Sequence, residues 1–152
     1  KDFSEAAMLE LGVAVQFHRV AIKPGKPVLF GTNGRTLFFG LPGNPVASML
    51  TFELFVRPAI LKMRGIARLS KRTVPAILQE DVPKRELGRR YYIRMRYQET
   101  SEGGVATTTG NQGSSVLSSM SRANAVLVME MDQTTLVRGS RVSVWLMDEP
   151  EV

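Results

Sequence analysis

The residue pattern changes near position 68, and this change constrains the fold more than any other feature of the sequence. Before it, helix-type and strand-type patterns alternate, and after it nearly every segment has the pattern of a strand or a turn. Gly65 and a cluster of basic residues mark the change. We therefore predict an α/β unit over residues 1–68, followed by a small all-β domain, barrel or sandwich, over residues 73–152.

Several classes of protein are excluded by composition. The chain has no cysteine and one histidine, which rules out disulfides, zinc–sulfur sites and cages of several histidines. Any bound metal must rest mainly on oxygen ligands. Charged residues interrupt the longest apolar stretch, 45–63, so it is not a membrane span, and no secretory signal is present. We expect a cytoplasmic protein, and because the first residue is not Met, a piece of something longer.

Positive charge is concentrated in the first part of the chain. The net charge is +6, and the first 70 residues carry nine Lys and Arg against four Asp and Glu. An electropositive region of this kind suits an anionic ligand. A solvated cationic surface with no ligand explains the same count.

The first unit begins with a predicted short helix. Asp2 or Ser4 can cap it, and Gly12 can end it. A buried strand over 13–22 should follow, and then a hairpin around Asn33-Gly34, since Asn-Gly between apolar runs is a strong hairpin signal.

A long helix should begin at Asn44 and Pro45, which suit the N-cap and N1 positions. Pro58 should kink it. Apolar residues at helical spacing predict that the helix is largely buried. The predicted stripe comprises Met49, Phe52, Val56, Ile60 and Met63, and it is broadened by Leu50, Leu54 and Leu61.

The second unit should consist of strands and one short helical turn. The predicted strands are Thr73–Val82, Arg90–Glu99, Val105–Thr109, Ala125–Glu130 and Leu136–Met147, and the helical turn is Ser114–Ser121.

The best local candidate for a binding site is the loop 40–45, where a strand runs through Pro42 and Gly43 into the helix that begins at Asn44 and Pro45. The first N–H groups of a helix have no partners within it, and anions bind there readily. Gly43 would let a ligand approach the backbone. A plain strand-to-helix turn explains the same residues.

Two lysines, Lys23 and Lys26, flank Pro24-Gly25 in a loop that its prolines stiffen. Two ammonium groups held close together gain from an anion between them, and their prior ordering lowers the entropy lost on binding. Two exposed loop lysines are the alternative. Asp2 reads most simply as a helix cap, although Mg²⁺ also accepts one or two carboxylates together with phosphate oxygens.

The segment 88–97 interleaves bases with aromatics, and on a strand Arg90, Tyr92 and Arg94 share one face. It fits a platform for single-stranded nucleic acid, a strand that lends an arginine to an oxyanion, or an exposed strand whose charges discourage edge pairing. The polar turn 111–115 either caps a short helix or presents the hydroxyls of Ser114 and Ser115 to an oxyanion.

Three blocks, in this order, resemble one family: Ile22-Lys23-Pro24-Gly25-Lys26-Pro27, Gly40-Leu41-Pro42-Gly43-Asn44-Pro45-Val46, and Asn111-Gln112-Gly113-Ser114-Ser115 with Ser121-Arg122-Ala123-Asn124-Ala125. It is the molybdopterin molybdenumtransferase family, MoeA in bacteria and the E domain of gephyrin in animals. The resemblance covers essentially the whole chain. It implies the C-terminal part of a molybdopterin-binding α/β domain and a small C-terminal β domain. It also implies a homodimer when the protein is full length, with an active cleft between the α/β domain of one subunit and the β domain of its partner.

The resemblance also assigns roles to residues. Asp2 is similar to the essential aspartate that assists metal binding and pyrophosphate cleavage, and Lys23 and Lys26 look like the lysines that hold molybdate or phosphate. Arg19 stands where a base is often found. The remaining implied contributors are Pro42 and Pro45, which shape the loop, Gly43 and Asn44 at the helix that faces the ligand, and Arg94, Ser114 and Ser115, which help bind molybdate.

The implied reaction joins molybdate to adenylylated molybdopterin with a divalent metal, expected to be Mg²⁺, and releases AMP. A molybdopterin adenylyltransferase is the implied donor. We expect that this piece alone is not active. A non-catalytic molybdopterin-binding module and a gephyrin-like scaffold remain the alternatives, and nucleic-acid binding is not expected.

Overall fold

The computed structural model describes residues 3–147. The chain divides into two compact units between Arg68 and Leu69.

The first unit combines a three-stranded antiparallel sheet with helices. In chain order its elements are α1 (Ser4–Glu10), β1 (Ala14–His18), β2 (Ile22–Lys23), β3 (Leu29–Asn33), β4 (Thr36–Gly40), α2 (Pro45–Thr51), a π-helical segment (Phe52–Val56) and α3 (Arg57–Met63). The three strands of the sheet lie in the order β1–β3–β4.

The predicted hairpin is confirmed, and its turn lies one residue later than the Asn-Gly pair. Asn33 pairs with Thr36, so the two loop residues are Gly34 and Arg35. Gly34 has a φ of +55°. A glycine with positive φ at the first loop position is typical of a type II′ turn, whose twist suits the flanking strands.

The strand predicted over 13–22 was wrong as a single element, because the chain turns at Arg19. Arg19 has a φ of +69°, which a residue with a side chain rarely adopts. The backbone N–H groups of Arg19 and Val20 donate to the carbonyls of Val28 and Lys26, at 2.9 Å each. The chain therefore folds back on the loop that follows β2.

The prediction that Ser4 can cap α1 was wrong. Phe3 occupies the N-cap position, no side chain caps the helix there, and Ser4 is the first helical residue. Asp2 lies outside the described residues. Gly12, with a φ of +70°, follows the helix as predicted. His18 Nδ1 lies 2.8 Å from Glu5 Oε2, which connects α1 to β1.

The long helix is interrupted by a π-helical segment just before Pro58. There the N–H of Arg57 donates to the carbonyl of Phe52, five residues back. A proline inside a helix removes one hydrogen bond and its ring collides with the preceding turn, and a π-helical segment is one of the usual ways a helix bends. The predicted disruption at Pro58 therefore takes this form.

The predicted burial of the helix is confirmed for Leu50 and Leu61 and was wrong for most of the central stripe. Met49, Phe52, Ile60 and Met63 are 40% to 73% exposed. The buried helical residues are Val46, Ala47, Leu50, Thr51 and Leu61. Apolar residues occur on more than one side of this helix, so spacing alone does not decide which side packs inward.

The second unit, among residues 69–147, is a closed five-stranded barrel with one short helix. Its elements are β5 (Thr73–Leu78), β6 (Arg90–Thr100), β7 (Gly103–Thr108), α4 (Leu117–Ser121), β8 (Ala125–Met129) and β9 (Arg141–Leu146). The strand order is β6–β7–β5–β9–β8, and antiparallel pairing of β8 with β6 closes the barrel. Closure leaves no free edge in the sheet.

Alternate residues of each strand point into the barrel and form one core. Val74, Leu78, Ile93, Leu127 and Val144 are among its members, each at most 8% exposed. The predicted strands of this unit are present, with shorter ends for β5 and β9. Beyond those ends, Val82 and Leu136 form a single antiparallel bridge. The sequence left a barrel and a sandwich as alternatives for this unit, and the structure shows a barrel.

Candidate functional site

In the first unit, the loop after β2 packs tightly on helix α2. Gly25 is buried, with a φ of +116°, and an added Cβ would lie 2.5 Å from Thr51 Cγ2 and 3.0 Å from Ile22 Cδ1. The Lys23–Pro24 peptide bond is cis. A side chain would collide here and the backbone conformation suits glycine, so the loop packs closely against the helix at Gly25.

Three cationic residues lie on this loop and beside it. Arg19, Lys23 and Lys26 are all exposed. The hydrogen bond from Val20 N–H to the Lys26 carbonyl brings the backbone next to Arg19 alongside the loop. Cations exposed on the surface in this way attract anions.

The loop 42–45 leads into α2 as predicted. Pro42 is buried, whereas Gly43, Asn44 and Pro45 are exposed. Asn44 holds the N-cap position with Pro45 at the start of the helix, and the Ser48 N–H donates to the Asn44 carbonyl at 2.8 Å. The predicted N-cap and N1 positions are confirmed, and the Asn44 side chain makes no capping hydrogen bond.

The two loops contact opposite ends of the same helix. Thr51, which Gly25 touches, is the last residue of α2, and Pro45 is its first. Six residues at 1.5 Å each separate these ends by about 9 Å along the axis. An added Cβ at Gly43 would meet no atom within 4 Å, so its backbone is open to approach.

No metal site is assembled by residues 3–147. Within that range, no three His, Cys, Asp or Glu side chains come together as possible ligands. The predicted metal ligand, Asp2, lies outside them.

In the barrel, Arg94 is buried on the outer face of β6. It is 1% exposed, although Arg90 and Arg96 on the same face are not buried. Its Nε donates to Ser119 Oγ at 3.0 Å, and its Nη2 donates to the Gly113 carbonyl at 3.2 Å. Burial lowers the pKa of the Arg94 guanidinium from its usual value.

The segment that covers Arg94 is the polar turn that the sequence singled out. Gln112 Oε1 accepts from the Arg94 N–H at 2.9 Å, and Gln112 Nε2 donates to the Arg94 carbonyl at 3.1 Å. Asn111 Oδ1 accepts from the Gly113 N–H at 2.8 Å. Ser114 is half-buried and Ser115 is exposed. The two serines therefore belong to an ordered loop over Arg94.

Asn124, just before β8, also bonds to the backbone of β6 through its side-chain amide. Asn124 Oδ1 accepts from the Tyr97 N–H at 2.7 Å, and Asn124 Nδ2 donates to the Tyr97 carbonyl at 2.9 Å. The side-chain amides of Gln112 and Asn124 thus bond to the backbone of β6 on its two sides, as the backbone of a neighbouring strand would. Sequence reasoning missed this role for both residues and missed Ser119, although the two amides lie in the blocks that it quoted.

The exposed-strand and nucleic-acid interpretations of 88–97 are not supported. Tyr91, Tyr92 and Arg94 are each at most 7% exposed. Bases and phosphates need accessible aromatic faces and cations, and most of this strand offers neither.

No helix among residues 3–147 is both long enough and apolar enough to cross a membrane.

An α/β unit with ordered Pro/Gly loops, joined to a small closed barrel, defines a class of two-part protein, and family comparisons identify both parts. Residues 1–62 match the model described as "Probable molybdopterin binding domain". Residues 75–147 match "MoeA C-terminal region (domain IV)".

Individual relatives agree. The chain is 33% identical over 144 residues to the molybdopterin molybdenumtransferase of Haemophilus influenzae, and the match covers 94% of this chain and 35% of that protein. It is 34% identical to gephyrin of Dictyostelium discoideum, covering 92% of this chain and 23% of that protein. The molybdopterin biosynthesis MoeA protein of Pyrococcus horikoshii superposes with a TM-score of 0.73 at 36% identity, covering 88% of this chain and 32% of that one.

The chain belongs to the molybdopterin molybdenumtransferase family. It spans about a third of the length of the first of these relatives.

Proposed function

We propose that this chain is part of a molybdopterin molybdenumtransferase, which inserts molybdate into adenylylated molybdopterin and releases AMP. The observation that carries the proposal is the pairing of the two family matches with an exposed cationic loop held rigidly in the first unit. Molybdate, the pyrophosphate and the pterin phosphate are all anions, so each gains from cations whose positions are set in advance.

The first unit supplies most of the contacts in this proposal. Lys23 and Lys26 hold molybdate or phosphate, and Arg19 adds a third cation beside them. Their exposure supports this role, and Lys23 is the catalytic member of the set because its charge offsets the charge that develops as the pyrophosphate is cleaved. Gly43 and Asn44 present backbone to the ligand, while Pro42 and Pro45 shape their loop.

Mg²⁺ is included in the proposal as an ion bound by Asp2 and by phosphate oxygens of the substrate. Mg²⁺ is commonly bound by one or two carboxylates together with phosphate oxygens and water, so a single carboxylate from the protein is consistent with the proposal.

The second unit contributes the ordered loop of Ser114 and Ser115 together with Arg94 in binding molybdate. The proposal further includes a homodimer of the full-length protein, a molybdopterin adenylyltransferase as donor of the adenylylated pterin, and a cytoplasmic location. Each follows from the family resemblance.

The test is AMP release in a chimera in which this chain replaces the matching segment of the Haemophilus influenzae relative. We expect AMP formation that depends on both adenylylated molybdopterin and molybdate. Lys23→Ala and Lys26→Ala should each lower turnover at limiting molybdate by about tenfold, the effect of losing one charged contact. The matched control, Lys62→Ala, removes an exposed lysine from α3 and should leave turnover unchanged.

Two results would contradict the proposal. Equal turnover in all three lysine variants would remove the cationic loop from the site. Binding of the adenylylated pterin by the chimera without AMP release would favour the alternative of a non-catalytic binding module.

A further inference from the structure

The cationic loop, which carries Lys23 and Lys26 between β2 and β3, has a buried side as well as an exposed one. Its buried residues are Ile22, Gly25 and Val28, and the two exposed lysines lie between them along the chain. The Val28 N–H donates to the Gly25 carbonyl at 3.2 Å, which closes the loop on itself. The positions of the two lysines therefore depend on what the buried residues rest against.

Gly25, at the centre of the loop, rests against Thr51, the last residue of α2. A Cβ on Gly25 would lie 2.5 Å from Thr51 Cγ2, and the next nearest atoms belong to Ile22 of the loop itself. Thr51 is 0% exposed. Its methyl group is therefore the nearest support that another element gives to the loop at Gly25.

The hydroxyl group of Thr51 fixes the direction of that methyl group. Its Oγ1 donates to the Ala47 carbonyl at 2.7 Å and lies 3.1 Å from the Ser48 carbonyl. A helical threonine has two common χ1 rotamers, because its hydroxyl can bond to a carbonyl of the preceding turn. Since Oγ1 and Cγ2 share one Cβ, a bond that holds the hydroxyl also directs the methyl group toward Gly25.

We propose that Thr51 is a positioning residue, which sets the places of the Lys23 and Lys26 ammonium groups through Gly25 and does not touch the ligand. The inference rests on the proposed function, which makes these lysines contacts of molybdate. Thr51 is too buried to reach a ligand, and its packing orders the loop before an oxyanion arrives. Prior order lowers the entropy lost on binding.

The two groups on the Thr51 Cβ can be removed one at a time. Thr51→Ser keeps the hydroxyl and removes the methyl group, so Gly25 loses its contact. Thr51→Val removes the hydroxyl and places a methyl group at both positions, so the contact with Gly25 is kept. A support that acts through the methyl group is lost in the serine variant and retained in the valine variant.

Gly25→Ala adds a test by rescue. Alone, the new methyl group would collide with Thr51 Cγ2, and its φ of +116° adds strain. In a Thr51→Ser background the colliding atom is absent, and the methyl group at position 25 fills the space that it leaves. The double variant should therefore bind molybdate more tightly than Gly25→Ala alone, because the two changes share one contact.

The experiment uses the isotope-labelled full chain, with molybdate as the probe and sulfate as the competing oxyanion. Exchange of the Val28 amide, which bonds to the Gly25 carbonyl, reports the order of the loop, and titration followed by NMR reports binding. Thr32→Ser is the matched control, because it removes one methyl group from a half-buried threonine of β3.

We expect Thr51→Ser to speed exchange of the Val28 amide and to weaken molybdate binding by about fivefold, since the lysines must then be ordered again on binding. Thr51→Val should change the affinity by less than about twofold, because it keeps the packing volume. Thr32→Ser should alter neither measurement. A merely structural role for Thr51 predicts instead that every folded variant binds molybdate equally well.

Equal affinity in Thr51→Ser and the unaltered chain would overturn the positioning role, and so would an equal loss in Thr51→Ser and Thr51→Val. Failure of the unaltered chain to bind molybdate would count against the proposed function at this loop. In that case, a Val28 exchange rate that still separates the serine variant from the valine variant would support the ordering of the loop by Thr51.

Discussion

The two units of this protein differ in how they use apolar and charged residues. The barrel places alternate residues of five strands into one closed core. The first unit has a smaller buried set and exposes large apolar side chains, among them Phe3, Leu11 and Met63, which are 65%, 67% and 73% exposed. Exposed apolar side chains contribute little to stability, so we expect the barrel to be the more stable unit.

The candidate binding loops of the two units also differ in where their charged residues lie. In the first unit, the cations of the loop are exposed to solvent, and a glycine of the loop packs against α2. The loop of the barrel is fixed by a buried cation, with its hydroxyls nearer the surface. The comparison teaches that an exposed loop can be ordered in two ways, by close packing of a glycine against a helix or by hydrogen bonds to a buried guanidinium.

The largest effect should come from the barrel core. Leu127→Ala, at a position 2% exposed, should lower the free energy of unfolding of the barrel by about 3 kcal/mol through lost burial and the cavity left behind. Urea unfolding followed by the fluorescence of the single tryptophan, Trp145 of β9, measures this. Leu117→Ala, at a 52% exposed position of α4, is the control and should cost less than about 0.5 kcal/mol.

A smaller effect, confined to the first unit, should follow from Gly25→Ala. The added Cβ would lie 2.5 Å from Thr51 Cγ2, and the φ of +116° strains any residue with a side chain. We expect a loss of about 2 kcal/mol. Hydrogen exchange of peptides from residues 3–68 measures it, with Gly43→Ala as the open control. If Gly25→Ala shifted the Trp145 transition as strongly, the two units would not be energetically separate.

The hydrogen bonds between the Asn124 side chain and β6 should contribute still less to the free energy of unfolding. Asn124→Ala removes two hydrogen bonds to the backbone of Tyr97 and should cost the barrel about 1.5 kcal/mol. Asn33→Ala, which removes one exposed bond to the Leu11 carbonyl at 3.2 Å, is its counterpart in the first unit and should cost less than about 0.5 kcal/mol. Thermal unfolding compares them, and equal losses would mean that Asn124 does not support the strand.

The smallest effect should come from the ion pair on the surface of the barrel. Arg90 Nη2 lies 2.8 Å from Glu130 Oε2, and the two side chains are 44% and 49% exposed. Solvent screens such a pair, so Arg90→Ala should cost about 0.5 kcal/mol or less, and less still in high salt. A salt-independent loss above about 1 kcal/mol would show that Arg90 supports the barrel by packing rather than by charge.

Much of the local structure could be predicted from the sequence. The hairpin at Gly34, the helix that begins at Pro45 and the strands of the second unit all follow from turn residues, caps and the period of apolar residues. The break at Arg19 was not predictable, because nothing in a run of strand-forming residues signals a positive φ there. The burial of Arg94 was not predictable either, because a charged residue on a strand normally faces solvent.

Three things could be read from the sequence by itself, because each depends on residues close together along the chain. They are the order and type of most elements, the excess of cations in the first part of the chain, and the blocks that identify the family. Only the tertiary structure decided that the sheet closes into a barrel, which side of the long helix is buried, and that Gln112, Gly113 and Ser119 enclose Arg94. Burial and hydrogen bonding of this kind depend on partners brought together from distant parts of the chain, and a local pattern does not encode which partner a side chain meets.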